Sequence, residues 1–182
     1  MKRRSGTDLV NQYVRSFAAL VDVRAWDIRL PGFIDRDGPV PCFTPMASSV
    51  YVVLTDGLLR LQGDENGQLT IRLVGEPEFP SSLEGEEEEF SLASHGQQFL
   101  AEAHSSFRIT RIRCVVSKDA ESEKGEMACI EFEFEENWRV FADPGHFFGL
   151  RLEGEGGYDR WLQHHQSDLK PEGPLQEIIW TP

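Results

Sequence analysis

The 182 residues carry a formal net charge of −13, with 40% hydrophobic and 27% charged positions, the balance of a globular chain with apolar residues enough for one real core. Such a surplus of negative charge repels phosphate backbones and anionic lipid, which excludes nucleic acid and a membrane surface as expected partners. No apolar run approaches the length of a membrane span, and the basic start Met1-Lys2-Arg3-Arg4 lacks the apolar core of a signal peptide, so the expected compartment is the cytoplasm.

Leu9, Val10, Tyr13, Val14, Phe17 and Val21 recur at three- and four-residue spacing, which predicts a core-packing helix over about 7–22. From 23 to 49 the residues Pro31, Gly32, Gly38, Pro39, Pro41 and Pro45 interrupt any regular pattern. Trp26, Ile28, Leu30, Phe33, Ile34 and Phe43 are too apolar for a disordered linker, so this segment is expected as a long ordered loop lying on the body. Residues 49–74 predict a three-stranded meander, with strands at Val50 to Leu54, Leu59 to Gln62 and Leu69 to Leu73. Asp56-Gly57 and the Asp64-Glu65-Asn66-Gly67 run tolerate the positive φ of tight turns between them. The stretch 76–89 holds seven glutamates with Pro77, Pro80 and Gly85, the composition of a solvated, mobile acidic loop. Leu92, Phe99, Leu100 and Ala103 have loosely helical spacing, and a helix is expected over 92–105.

Residues 107–117 predict a strand made basic by Arg108, Arg111 and Arg113. The longest strict alternation follows, from Met127 to Leu152, where Ile130, Phe132 and Phe134 fall on one side and Glu131, Glu133 and Glu135 on the other. Arginines and glutamates on neighbouring strands would form cross-strand ion pairs of modest worth. Glu135-Glu136-Asn137 breaks this strand before Trp138 to Phe141, and Asp143-Pro144-Gly145 reads as the turn into a third strand, Phe148 to Leu152. Tyr158, Trp161, Leu162 and His165 suggest a short helix, and the apolar end Leu175 to Trp180 either packs on the body or forms a dimer contact. The sum is one α+β domain over 1–182, with antiparallel meander sheets flanked by a few helices; whether the two meanders form one sheet is left open by the pattern.

The sequence offers little that commits to a reaction. Cys42, Cys114 and Cys129 form no CxxC pair and read as reduced thiols, two of them inside apolar strand patterns. His95 and His104, and the adjacent His164 and His165, lack the spacing of a compact metal site, so neither metal nor cofactor is expected. Nucleophile elbows and phosphate-binding glycine loops are likewise missing. His146 with Asp143, at a turn following a strand, is the best candidate for a ligand site. Glu131, Glu133 and Glu135, on an expected wet face, suit the capture of a basic protein better than acid catalysis, with Trp138 or Trp161 supplying buried contact. The favoured expectation is thus a non-catalytic acidic protein-binding module. The alternative is a small-ligand-binding or hydrolytic domain with its site under the 23–49 loop.

Residues 129–152, ending in Phe148-Gly149-Leu150-Arg151-Leu152, also resemble a pattern in small uncharacterised bacterial proteins, including immunity proteins encoded beside polymorphic toxins. That pattern is an alternating strand, a turn, a short strand and a closing aromatic-Gly-apolar strand. The resemblance implies an acidic, non-catalytic chain that binds a basic toxin domain by surface complementarity, and it carries over no catalytic residues.

Overall fold

The computed structural model describes residues 13–78, 89–100, 105–118, 126–146 and 149–182. They form an antiparallel sheet of eleven strands with a few short helices, among them α1 (13–18), α2 (Gly96–Phe99) and α3 (Gly157–His164). The order β10-β9-β8-β7-β1-β3-β4-β5 runs through the sheet, where β1 is Arg24–Asp35, β3 Ser49–Leu54, β4 Gly57–Gly63, β5 Leu69–Val74, β7 Phe107–Ser117, β8 Cys129–Phe134, β9 Arg139–His146 and β10 Gly149–Glu153. Three further strands sit beside this path: β2 (Cys42–Pro45) and β6 (Glu89–Ser94) pair with β1, and β11 (Leu175–Trp180) pairs with β7.

Backbone pairing joins the halves of the sheet at β1 and β7, at Leu69 and Met127 and, through Leu150 N donating to Ala47 O, at the start of β10. β1 meets β7 only at Arg24 opposite Arg108 and Ala25 opposite Phe107. At the far side Leu69 and Met127 exchange both backbone hydrogen bonds, at 2.7 and 2.8 Å. The inward residues of both halves therefore share one core, with Ile28, Val52, Leu59 and Leu61 from one side and Ile112, Ile130, Phe132 and Phe134 from the other.

The meander over 49–74 forms as its pattern predicts, with Gly57 at φ +112° and Gly67 at φ +68° in the two turns. So do the basic strand, the break at Glu135–Asn137, a 3-10 turn with Glu136 and Asn137 at positive φ, and the short helix, here Gly157–His164. Leu175 to Trp180 packs on the body: β11 runs along β7 from Leu175 opposite Ser117 to Trp180 opposite Ile112. Both alternation-rich segments lie in the same sheet.

Four expectations are corrected. The segment 23–49 is not an irregular loop but contains β2 and the longest strand, β1. Pro31, opposite Leu92 of β6, is tolerated because its main-chain groups face the other edge of β1. There its carbonyl accepts from Met46 N at 2.7 Å, and β1 pairs with β3 up to Arg29 and with β2 only from Gly32, so no ladder bond needs an N–H at 31. Gly32 is needed because a Cβ there would overlap Thr44 and Phe43 of β2. The helix expected over 92–105 starts instead as strand. β6 pairs with β1 from Arg29 opposite Ser94 to Ile34 opposite Glu89, and only Gly96–Phe99 is helical; residues 101–104 lie outside the described residues. The switch is fixed by Asp27, buried at a bulge of β1, whose Oδ1 accepts from Ser94 Oγ at 2.8 Å and Gly96 N at 3.1 Å.

The helix expected over 7–22 is seen at 13–18, with 7–12 outside the described residues. Tyr13 and Phe17 face the core as expected, but Val21 is exposed; the helix has ended, Asp22 takes φ +60°, and Leu20 fills the place. Finally, Asp143-Pro144-Gly145 does not end its strand. His146 stands opposite Gly149 and Asp143 opposite Arg151, so Pro144 and Gly145 share the single partner position of Leu150 as a bulge within β9. Of the acidic stretch 76–89, residues 79–88 lie outside the described residues, and Glu89 opens β6.

Candidate functional site

On the outer face of β7, β8 and β9 the arginines and glutamates meet in register, Arg113 opposite Glu131 and Arg111 opposite Glu133 opposite Arg139. Glu133 pairs with Arg111 at 2.6 Å and Arg139 at 3.3 Å. Glu135, at the strand end, pairs with Arg108 at 2.8 Å and Arg24 at 3.0 Å, and accepts the Arg108 backbone N–H. That backbone bond and the guanidinium lower its carboxyl below the usual range.

The expected cross-strand ion pairs therefore form, and the expected wet face is lost at Glu131, while Glu133 and Glu135 stay half-buried. Glu131 is 1% exposed. Burial, outweighing Arg113 and Arg139, pushes its carboxyl above the ordinary value. The cover comes from α3 (Gly157–His164), which lays Tyr158 over the Arg113 guanidinium at 4.2 Å and brings Asp159 to it at 3.2 Å. The apolar remainder of this face, Val115, Cys129 and Phe141, packs against Tyr158, with Trp161 and Leu162 alongside. A hydrophobic side chain at the i, i+3 and i+4 positions of α3 is what seats it there. Thus the three glutamates offered to a partner by the sequence are spent within the fold.

The two tryptophans are also only half exposed. Trp138 packs against the central core, on the side away from the glutamates, and Trp161 stacks on His165 with ring centroids 3.8 Å apart. Cys114 and Cys129 are buried, which pushes both thiols well up, whereas Cys42 is exposed.

The Asp143 to His146 bulge borders a groove of about 710 Å³ lined by Ser48, Gln62, Gly63, Asp64, Glu65, Gly67, Pro144, Gly145, Gly149 and Leu150. Local chemistry sets both lips. Asp64 Oδ1 accepts the N–H groups of Asn66 and Gln68 at 2.9 and 2.8 Å, fixing the β4–β5 turn, and Asp143 Oδ1 accepts Gly145 N at 2.9 Å, fixing the other. The floor is tied to both lips by Gly63 N donating to Ser48 O at 2.8 Å and Leu150 N donating to Ala47 O at 2.6 Å. Of His146 the structure describes the backbone alone, at the end of β9 opposite Gly149. Asp64 and Glu65 were not singled out by sequence reasoning; a turn acid that caps its own turn carries no signal of the surface it will face.

Among the described residues every arginine other than Arg15 meets a carboxylate, and Lys118 donates to the carbonyls of Lys170, Pro171 and Gly173 at 3.1, 3.0 and 2.7 Å. No basic side chain lines the groove among the described residues. Among them, too, no group of three or more His, Cys, Asp or Glu converges as a metal site would, and no helix is long and apolar enough to cross a membrane. Compared with family models, curated proteins and solved structures, the chain matches none.

Proposed function

We propose that the chain is a non-catalytic, acidic protein-binding module, a single α+β domain of the cytoplasm that acts as an immunity-type inhibitor of a basic partner protein. The observation that carries this reading is the spending of the arginines. Cations are consumed in internal ion pairs, so the excess of carboxylates in a chain of net charge −13 is left unopposed at the surface. An unopposed field of one sign speeds encounter with a partner of the other and weakens as salt rises. It also opposes nucleic acid and anionic lipid.

The contact is assigned to the groove between the β4–β5 and β9–β10 connections, where Asp64 and Glu65 stand beside the Asp143 bulge, and not to Glu131, Glu133 and Glu135. An arginine or lysine of the partner would enter there. The groove volume also suits a small ligand, which keeps the small-ligand-binding or hydrolytic reading as the second one, with Ser48 of the 23–49 segment in the lining.

The test is a titration of isotope-labelled protein with a capped Gly-Arg-Gly-Arg-Gly peptide and its glutamate counterpart, read by amide chemical shifts. The basic peptide should perturb 62–67 and 144–150, less so at high salt, and Asp64→Asn with Glu65→Gln should weaken it while leaving the turn bonds in place. Shifts spread evenly over the acidic surface would mean that the charge only keeps the protein in solution.

A further inference from the structure

Tyr51, Arg60 and Arg72 stand in one row across β3, β4 and β5, each opposite the next. The row lies on the face turned away from the central core, yet Tyr51 is 0% exposed. Glu78, beyond the end of β5, lies over it. The two carboxylate oxygens of Glu78 go to different arginines, Oε2 to Arg60 and Oε1 to Arg72 at 3.3 Å. The Glu78 N–H donates to the Tyr51 hydroxyl at 3.0 Å, and that hydroxyl donates to the Glu78 carbonyl at 3.4 Å. Behind the row Gln62 Oε1 accepts from Arg60 Nη2 at 2.5 Å and holds the guanidinium, whose Nε is buried without a partner.

This differs from the other carboxylates that meet two arginines. Glu133 sits within β8, where sheet register puts Arg111 and Arg139 opposite it; Glu135, just past β8, meets Arg108 and Arg24 at the starts of β7 and β1; and Glu153, at the end of β10, meets Arg151 of its own strand and Arg160 of α3. Glu78 has no ladder to position it, and its main chain is recognised as well as its charge. A surface ion pair reads charge only; a donor and acceptor that meet the N–H and C=O of the same residue read an extended peptide. The three recognising groups are mounted on adjacent strands, which fixes their spacing without the ligand.

We propose that Tyr51, Arg60 and Arg72 form a binding site for a glutamate residue of an extended peptide, filled in this structure by Glu78 of the same chain. A tethered occupant acts at an effective concentration on the order of millimolar, so an external peptide enters only when Glu78 is displaced or removed. The site is separate from the acid-lined groove and takes a ligand of the opposite charge.

The probes are N-acetylglutamate N-methylamide, its glutamine analogue and inorganic phosphate, titrated against labelled protein and read at the Tyr51 amide and the Arg60 and Arg72 Nε–H signals. Glu78→Ala should bind the glutamate probe at least about tenfold more tightly than the wild type does, the advantage that removal of a tethered competitor confers. The glutamine probe and phosphate should bind that variant more weakly than the glutamate probe, and adding Arg72→Gln should abolish the response. A natively folded Glu78→Ala that ignores the glutamate probe, or answers phosphate equally well, overturns the proposal. Should Glu78→Ala lose the native spectrum, Glu78→Gln retains the main-chain contacts; glutamate binding no tighter than in the wild type would then overturn it.

Discussion

Arg113 donates from both Nε and Nη2, at 2.9 and 2.6 Å, to a single oxygen of Glu131, while the other oxygen, Oε2, is buried with no partner. Two donors on one oxygen and none on its neighbour describe a buried pair whose carboxylate is only half satisfied. Its worth therefore lies in what happens when one member is removed. Arg113→Ala should destabilise the protein by about 3–5 kcal/mol, since it strands a charge under Tyr158, and Glu131→Gln should cost less. Arg113→Met combined with Glu131→Leu should recover most of the loss. Denaturant unfolding of the four proteins decides this, and equal losses for Arg113→Ala and the double variant would contradict it.

The same burial sets a pH dependence. Glu131 has a folded value raised above its ordinary 4.5, so the folded state binds the proton more tightly than the unfolded state does. Its contribution to stability is fully present below 4.5 and is lost as pH rises through the folded value. Glu135, lowered by Arg108, does the opposite, contributing above 4.5 and losing that contribution as pH falls through its folded value. Glu131→Gln should remove the decline on the upper side and Glu135→Gln should flatten the acid side, measured as unfolding free energy against pH. Identical pH profiles for wild type and Glu131→Gln would show that burial does not dominate at Glu131.

Thiol chemistry reports the core directly. Only the thiolate reacts, and the burial that raises Cys114 and Cys129 also shields them. A disulfide exchange reagent should label Cys42 alone in the native protein and all three after unfolding. Fast native labelling at Cys129, which packs under Tyr158, would mean that α3 leaves its face of the sheet, whereas labelling at Cys114 would report opening of the central core.

The groove depends on one glycine. Gly149 has φ +103°, and a Cβ there would run into the Ala47 backbone that its neighbour Leu150 bonds. Gly149→Ala should cost about 1–3 kcal/mol from backbone strain alone and shift the amides of both groove lips. Gly75→Ala, with open space around the new methyl, should stay within about 0.5 kcal/mol of the wild type. Equal stability of the two variants would show that the close approach of β10 to Ala47 is not maintained in solution.

What the sequence determined by itself was local. Alternation at Ile130, Phe132 and Phe134 and at Leu59 and Leu61 assigned strands and their buried sides, Asp-Gly and Asn-Gly assigned the hairpin turns, and the spacing of Tyr158, Trp161 and Leu162 assigned α3, because each signal is complete within a few residues. Even the pairing of Arg111 and Arg113 with Glu133 and Glu131 was legible, as neighbouring strands of opposite charge. Tertiary structure decided the rest. Pro31 reads as a strand breaker until β1 is seen to change partners around it, and Leu92 joins a strand because the far half of β1 offers a free edge. Glu131 looks exposed by period and is buried because α3, nearly thirty residues later, brings Tyr158 and Asp159 onto Arg113. The Glu78 site and the acid-lined groove join residues distant in sequence, and no pattern confined to one strand or one turn encodes which strands will stand side by side.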